Sequence, residues 1–425
     1  MCGIAGLITP KPETMIGPAL AAIEHRGRDD EGVFVSQAFG RDKLKACLGH
    51  RRLSIIDTSP AGHQPMFTKD GRYAIVLNGE IYNYREIRSE LEAKGDVFTT
   101  GSDTEVLVKA FRRWNTGCLD RLNGMFAFAV WDDAEKTLTL ARDRAGIKPL
   151  YYAKAGDNFV FGSEIKAILA TGLVRAELDH GAFDQFLTFL WPVPPHTLFK
   201  NIYQLLPGHF LTSKGGEITT TEWWDLDFSV EEKDANEQIW TDRVLETLDR
   251  VTGLEMVADV PLGAFLSGGV DSSTIVALMA KRSKQRVSTY TTGISGEDLA
   301  YDIIPDDIEW SRKVAATLPV DYHEKLLTPD VTDLLPKLVW HQDAPIIDMA
   351  IPTYLISEQS RATQTVMLSG MGGDEVFGGY PRQMAMKLAT ATDLIPGGVR
   401  RPLMKTLDSI LYGGVRGRMT APLLG

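Results

Sequence analysis

Cysteine is scarce in this chain, with three residues among 425, at Cys2, Cys47 and Cys118. The count is odd and no CxxC pair occurs, so no disulfide framework is implied and a reducing cytoplasm is the expected compartment. Long Lys/Arg blocks are lacking, and the formal net charge is −11. Both argue against nucleic acid as the main partner. The N-terminus has neither a basic n-region nor an apolar h-region, so no signal peptide is visible. No apolar run reaches the length of a membrane span, so no integral membrane segment is expected. What is present is a mixed composition, 44% hydrophobic and 24% charged, of the ordinary globular type. The length predicts two or three domains.

The rhythm of the chain changes part-way along. Up to residue 205, short strands mix with a few helices. Tyr73 to Leu77 is strand-like and runs into Asn78-Gly79, read as a turn. Tyr84 to Ala93 and Asp103 to Trp114 have helical spacing, and Met125 to Trp131 with Thr137 to Ala141 reads as a strand pair. This irregular order predicts α+β layers. Pro-rich Trp191-Pro192-Val193-Pro194-Pro195 and the segment Gly208 to Trp224 read as connecting chain, because Pro resists both helix and central strand. From Glu237 to Val257 an amphipathic helix is expected. Strands then alternate with helices as far as Val366 to Leu368, which predicts a parallel sheet with helices on both faces. The division is residues 1–205, a connection at 206–235, and 236–425.

Cys2 stands behind only the initiator methionine. Removal of Met1 would give one residue both a thiol and an α-amine, whose ordinary pKa is about 7.7–8.0. That amine can take the thiol proton, so nucleophile and base come from one residue. A second-position Cys can equally be a small buried hydrophobe. A thiol that attacks a carbonyl needs oxyanion donors and groups that hold its substrate. Asn78-Gly79-Glu80 offers an amide and a glycine N–H, or simply a hairpin turn. Arg52, in His50-Arg51-Arg52-Leu53-Ser54-Ile55, can pair with a substrate carboxylate, or lie on a solvated charged edge. Gly101-Ser102-Asp103 can present a carboxylate to an ammonium group, or cap a helix.

These pieces occur in order with His25-Arg26-Gly27, Gln64-Pro65, Gly124-Met125-Phe126-Ala127 and Arg142 to Leu150. Together they resemble the class II glutamine amidotransferase domain. The resemblance implies an N-terminal-nucleophile fold, an αββα sandwich, that hydrolyses glutamine to glutamate and ammonia. It makes Cys2 the nucleophile and Asn78 and Gly79 the oxyanion hole. Arg52, Asn78, Glu80 and Asp103 then hold glutamine. Arg28 stands where that family has proline.

A second constellation is Leu266-Ser267-Gly268-Gly269-Val270-Asp271-Ser272-Ser273 at a strand-to-helix turn. Glycines let backbone approach a phosphate, and a helix N-terminus offers free N–H groups. Ser267, Ser272 and Ser273 add hydroxyls, and Asp271 can hold Mg²⁺. A Gly-rich turn with Ser caps is the plainer alternative. Ser369-Gly370-Met371-Gly372-Gly373-Asp374-Glu375 follows another apolar strand, so both loops can converge outside the carboxyl ends of a parallel sheet. Asp374 and Glu375 can bind metal or activate an acceptor.

This half resembles the synthetase domain of asparagine synthetase B-type enzymes, an α/β ATP-pyrophosphatase. The resemblance implies ATP and Mg²⁺, with ATP held by Leu266–Gly269, Asp271, Ser272, Ser273, Thr292, Ser369 and Gly370, and metal by Asp271 and Asp374. It implies adenylation of a carboxylate and its amidation by ammonia from the first site. Aspartate is the default acceptor, and a homodimer is admitted.

Three departures qualify this. Met371 stands where the family has an acidic residue, and a thioether takes no proton from ammonia. Ala344 likewise replaces the glutamate of an Asp-Glu-Pro motif. The family's later lysine and arginine motifs have no match before Gly425, although Lys405 and basic stretches at 396–401 and 413–418 occur there. The alternatives are therefore amidation of another carboxylate, such as a uronic acid sugar, or a glutaminase half or regulatory subunit without synthetase chemistry.

Overall fold

The first strand begins at the third residue and is buried along its whole length. In the computed structural model, residues 1–229, 236–294, 307–327, 331–345, 350–380, 383 and 386 are described. Lys405 and the basic stretches 396–401 and 413–418 lie outside these residues.

The strands of the first half are β1 (Gly3–Thr9), β2 (Asp30–Val35), β3 (Lys45–Arg52), β4 (Met66–Phe67), β5 (Tyr73–Ile81), β6 (Gly124–Asp132), β7 (Thr137–Arg142), β8 (Tyr151–Ala155), β9 (Asn158–Gly162), β10 (Tyr203–Gln204), β11 (His209–Lys214) and β12 (Glu217–Glu222). They form two antiparallel sheets, ordered β10-β8-β9-β1-β3-β2 and β12-β11-β7-β6-β5-β4.

Side chains alternate between two buried layers, as the period of two requires. Ile4 and Ile8 of β1, Val76 of β5, and Ala127, Ala129 and Trp131 of β6 share the cluster between the sheets. Ala5 and Leu7 face outward onto the helices Ile16–Ala22 and Ile165–Ala170. Ile75, Leu77, Phe126 and Phe128 face outward onto the helices Tyr84–Ala93 and Asp103–Trp114. This is the expected αββα sandwich. It also explains why these strands read as apolar runs, since both faces are covered.

Two local expectations differ from the structure. Asn78-Gly79 is not a turn: β5 continues to Ile81, with Asn78 opposite Ala127 and Gly79 opposite Phe126. The stretch Gly208 to Trp224 is not bare connection. It forms β11 and β12, which extend the second sheet beside β7.

In the second half, β13 (Leu262–Phe265), β14 (Val287–Ile294), β15 (Val320–Leu327) and β16 (Val366–Leu368) form a parallel sheet ordered β15-β14-β13-β16. Its core joins Ala264, Leu266, Val276 and Leu368.

Trp131 is fully buried between the two antiparallel sheets. Trp131→Ala is expected to cost about 3–5 kcal/mol through lost burial and the cavity left behind. A urea-unfolding midpoint unchanged from the parent would contradict this packing.

Candidate active site

Cys2 hangs from the end of β1, whose first residue pairs with Arg51. Its Sγ donates to the Leu53 carbonyl at 3.5 Å and accepts from the Leu53 N–H at 3.4 Å. Burial pushes the thiol pKa up, while the Leu53 contact and nearby positive charge oppose the shift. Burial also lowers the pKa of the terminal amine on Met1 to about 6, so it is largely unprotonated at neutral pH.

The Cys2 carbonyl is fixed by Arg26, whose Nε donates to it at 2.9 Å. Arg26 Nη1 lies 2.8 Å from Glu164, which also takes His25 at 3.0 Å and Lys166. Burial alone would raise the Glu164 pKa. Hydrogen bonds from His25 and Lys166 and the charge of Arg26 outweigh it and hold it at about 2. Lys166 in turn reaches Asp343 of the second half at 3.1 Å.

One cleft brings together Cys2, Arg52, Asn78, Gly79, Glu80 and Asp103. All six were singled out from sequence. Asn78 is fully buried, yet neither its amide oxygen nor its amide nitrogen has a partner among the described residues. An unsatisfied buried polar group costs about 1–3 kcal/mol, so this amide is set for something that enters the cleft. Gly79 has φ +148°, and a Cβ there would lie 2.1 Å from the Met125 carbonyl. No other residue fits that approach without moving β6.

The charges in the cleft are of both signs. Arg52 is buried and donates to the carbonyls of Ser59 (2.9 Å) and Asp57. It has no carboxylate at ion-pair distance among the described residues, which leaves it able to take one from a ligand. Ser102 supplies the helix cap, accepting from Thr104 N–H at 3.1 Å. Asp103 instead turns its carboxylate inward, where it accepts from Ile81 N–H at 3.0 Å. Burial raises the Asp103 pKa to about 6, against its hydrogen bonds. Burial raises that of Glu80 as well. A cation and carboxylates in one cleft match a zwitterionic amino acid.

Sequence reasoning gave no role to Lys148, Gln64 or Leu53, which also line this cleft. Burial lowers the Lys148 pKa while Glu80 opposes the shift. Gln64 accepts from Leu77 N–H at 2.7 Å and donates to Thr104 at 3.1 Å, joining β5 to the helix Asp103–Trp114. Their motifs were visible, but only side-chain direction reveals the roles.

The two glycine loops of the second half also meet. β13 and β16 are parallel neighbours, with Leu262 opposite Val366 and Ala264 opposite Leu368, so Ser267–Ser273 and Ser369–Glu375 leave the same end. A Cβ on Gly370 would lie 2.5 Å from the Ser272 nitrogen. Ser267 and Ser272 hydroxyls are 2.9 Å apart, and the buried Ser273 hydroxyl has no partner among the described residues. The 13-residue helix Val270–Arg282 starts here, with Asp271 in its first turn.

Leu266 is held by Tyr290 through its N–H (2.9 Å), and its carbonyl accepts from Thr291. Thr292 is in the C-terminal part of β14. The backbone cradle, the free hydroxyl and the helix N-terminus fit a polyphosphate. The Asp271 carboxylate lies against Gly373, whereas that of Asp374 lies against Gly379 and that of Glu375 accepts from Tyr380 at 2.6 Å. Among the described residues, no cluster of three or more His, Cys, Asp or Glu side chains could hold a metal ion. Met371 is 79% exposed.

The Asp103 pKa makes a signed prediction. A carboxyl raised from 3.8 to about 6 on folding binds more protons folded than unfolded, so its contribution to stability falls as pH rises between those values. The full penalty above pH 6 is about 3 kcal/mol. Asp103→Asn is therefore expected to match the parent near pH 4 and exceed it near pH 7 in urea-unfolding free energy. A difference that does not grow with pH would refute the buried carboxyl.

Comparison with known proteins agrees with this geometry. The glutamine amidotransferase domain model matches residues 1–224 and the asparagine synthase model residues 243–420. "Asparagine synthetase [glutamine-hydrolyzing] 1" of Bacillus subtilis (strain 168) is 35% identical over 428 residues, covering 98% of this chain and 65% of that protein. "Putative asparagine synthetase [glutamine-hydrolyzing] 2" of Methanocaldococcus jannaschii is 34% identical over 404 residues, 89% of this chain and 76% of that protein. "Amidase chry2" of Gibberella zeae is 31% identical over 410 residues, 89% of this chain and 59% of that protein. The chain thus spans 65% of the length of the first of these relatives. With one family model over its first half, a second over most of the rest, and relatives aligned through both, the chain belongs to the family of glutamine-hydrolysing asparagine synthetases.

Proposed function

We propose that this chain releases ammonia from glutamine at Cys2 and uses it to amidate a carboxylate activated by ATP. The observation that carries the first step is the unpartnered Asn78 amide in the same cleft as the thiol. Arg52 takes the α-carboxylate of glutamine, and Asp103 with Glu80 takes its α-ammonium group. That leaves the side-chain amide directed toward the thiol. Once Met1 is removed, the amine belongs to Cys2 and accepts the thiol proton. Sγ bonds to the amide carbon, and Asn78 with the Gly79 N–H stabilises the oxyanion. Ammonia leaves with the returned proton. Water then cleaves the thioester to glutamate.

The convergence of the two glycine loops supports the second step, and disfavours a glutaminase half or regulatory subunit. ATP supplies activation of the acceptor as an acyl-adenylate. Ser267 to Gly269, Ser272, Ser273, Ser369 and Gly370 would hold its phosphates, with Leu266 and Thr292 nearer the base. Asp271, whose carboxylate lies against Gly373, would hold Mg²⁺, most of whose ligands would be phosphate and water oxygens. Asp374 and Glu375, on the second glycine loop, would serve the acceptor or the metal.

Aspartate is the default acceptor. A second reading, another carboxylate such as a uronic acid sugar, is favoured by exposed Met371, where no acid–base group stands. Among the described residues, no helix is long and apolar enough to cross a membrane, and a cytoplasmic location belongs to this proposal.

Cys2→Ala should abolish glutamate formation from glutamine and leave amide synthesis from added ammonia. Continued glutamine use would remove Cys2 as nucleophile. ATP, Mg²⁺ and the true acceptor should release AMP and pyrophosphate. Release with aspartate and asparagine as product would exclude the sugar reading, and no release with any acid would exclude synthetase chemistry.

A further inference from the structure

The loop over the first cleft is pinned by a residue of the other half. Asp57 N–H donates to Asp259 Oδ2 at 2.9 Å, and Asp259 N–H donates to the Ile55 carbonyl at 2.9 Å. Asp259 is three residues ahead of β13, whose far end carries the Ser267–Ser273 loop. Nearby Val257 packs on the core cluster of the first half.

This contact falls where Arg52 is aimed. The Asp57 carbonyl accepts from Arg52 Nη2, and the Ser59 carbonyl accepts from Arg52 Nη1. The Asp57 carboxylate holds Gly101 N–H at 2.8 Å and Ser59 N–H at 3.3 Å. One residue therefore ties the arginine's anchors to the segment leading into Asp103. Asp57 has φ +53°, an uncommon conformation for a residue other than glycine. The bonds around it, Asp259 included, hold it there. Ile55 and Ile56, just before it, line the cleft.

We infer that Asp259 is a positioning residue for glutamine: it acts through Asp57 and the carbonyls that aim Arg52, so the synthetase half completes the glutamine site. The inference rests on the cleft being that site. Asp259 touches no substrate, and its bond is solvent-exposed. Its loss should weaken binding and leave the chemistry at Cys2 intact.

The test is steady-state glutamate formation by the full chain, normalised by titrating Cys2 with an electrophilic glutamine analogue. Asp259→Ala removes the acceptor for Asp57 and should raise the glutamine KM about three- to tenfold, the scale of one exposed hydrogen bond. The kcat per titrated site should change by less than about twofold, as expected when ground-state and transition-state binding weaken together. Asp259→Asn keeps an acceptor and should restore a near-parental KM. A merely structural role would reduce the titrated fraction and leave KM alone.

If the Ala variant does not fold, Asp259→Ser, too short to reach Asp57, replaces it. An unchanged KM in the folded variant, or an Asn variant as impaired as Ala, would overturn the inference. Failure of the parent chain to form glutamate would instead overturn the glutamine reading itself.

Discussion

Everything in the first site follows from a central strand that starts at residue 3. β1 lies between β3 and β9 and is buried on both faces, so its end cannot drift. Cys2 is the next residue out, and its position is set by strand pairing rather than by a loop. Antiparallel pairing brings the end of β3, and hence Arg52, alongside. The other sheet supplies Asn78 and Gly79 from β5. The two sheets are tied at this end by His50 of β3, whose Nε2 meets the Leu77 carbonyl at 3.1 Å. Burial lowers the His50 pKa to about 4, so the ring is neutral at physiological pH and donates Nε2–H to that carbonyl. A charged group there would have to be desolvated between two apolar sheets.

The site residues were legible because each lies in a short run whose neighbours are also constrained. The local backbone was less legible. Asn78-Gly79 carries the composition of a hairpin turn, but β6 pairs with β5 through Ile81. Non-local pairing overrode a local preference, and Gly79 is needed for close approach to β6, not for a turn. The opposite error occurred at Gly208 to Trp224. Gly215-Gly216 has two positive φ values, 60° and 83°, and joins β11 to β12 as a two-residue hairpin. That signal is in the sequence, where the proline-rich stretch upstream favours connecting chain. Lys148 and Gln64 were hidden for another reason. Nothing in a linear pattern says that a lysine after a loop, or a glutamine before a proline, turns into the cleft.

The second half was more readable because a parallel sheet follows from strand–helix alternation alone. Adjacent parallel strands must send their following loops to the same end, so β13 and β16 side by side account for the meeting of the two glycine loops. Sequence did not give the direction of the acidic side chains. Asp271 points between the loops, while Asp374 and Glu375 turn to Gly379 and Tyr380. That divides the carboxylates into one that already faces the cradle and two held by their own loop.

The halves also share charge. Arg26, Glu164, Lys166 and Asp343 form a buried row of alternating sign, from the Cys2 carbonyl to the second half. Each ion alone in that setting would carry a desolvation cost of several kcal/mol, about 3–5 if one partner is removed. The row therefore acts as a unit: its inner end holds the Cys2 backbone, and its outer end needs Asp343. Asp343 sits at φ +54°, with Lys166 bonding it through both backbone N–H and ammonium. Those bonds hold an otherwise unfavourable conformation at the altered Asp343-Ala344-Pro345 motif. Asp259, bonded to the Ile55–Asp57 loop, and Asp343, on this row, reach the first cleft from different segments of the second half. The first site is thus built by its own sandwich and oriented by its neighbour.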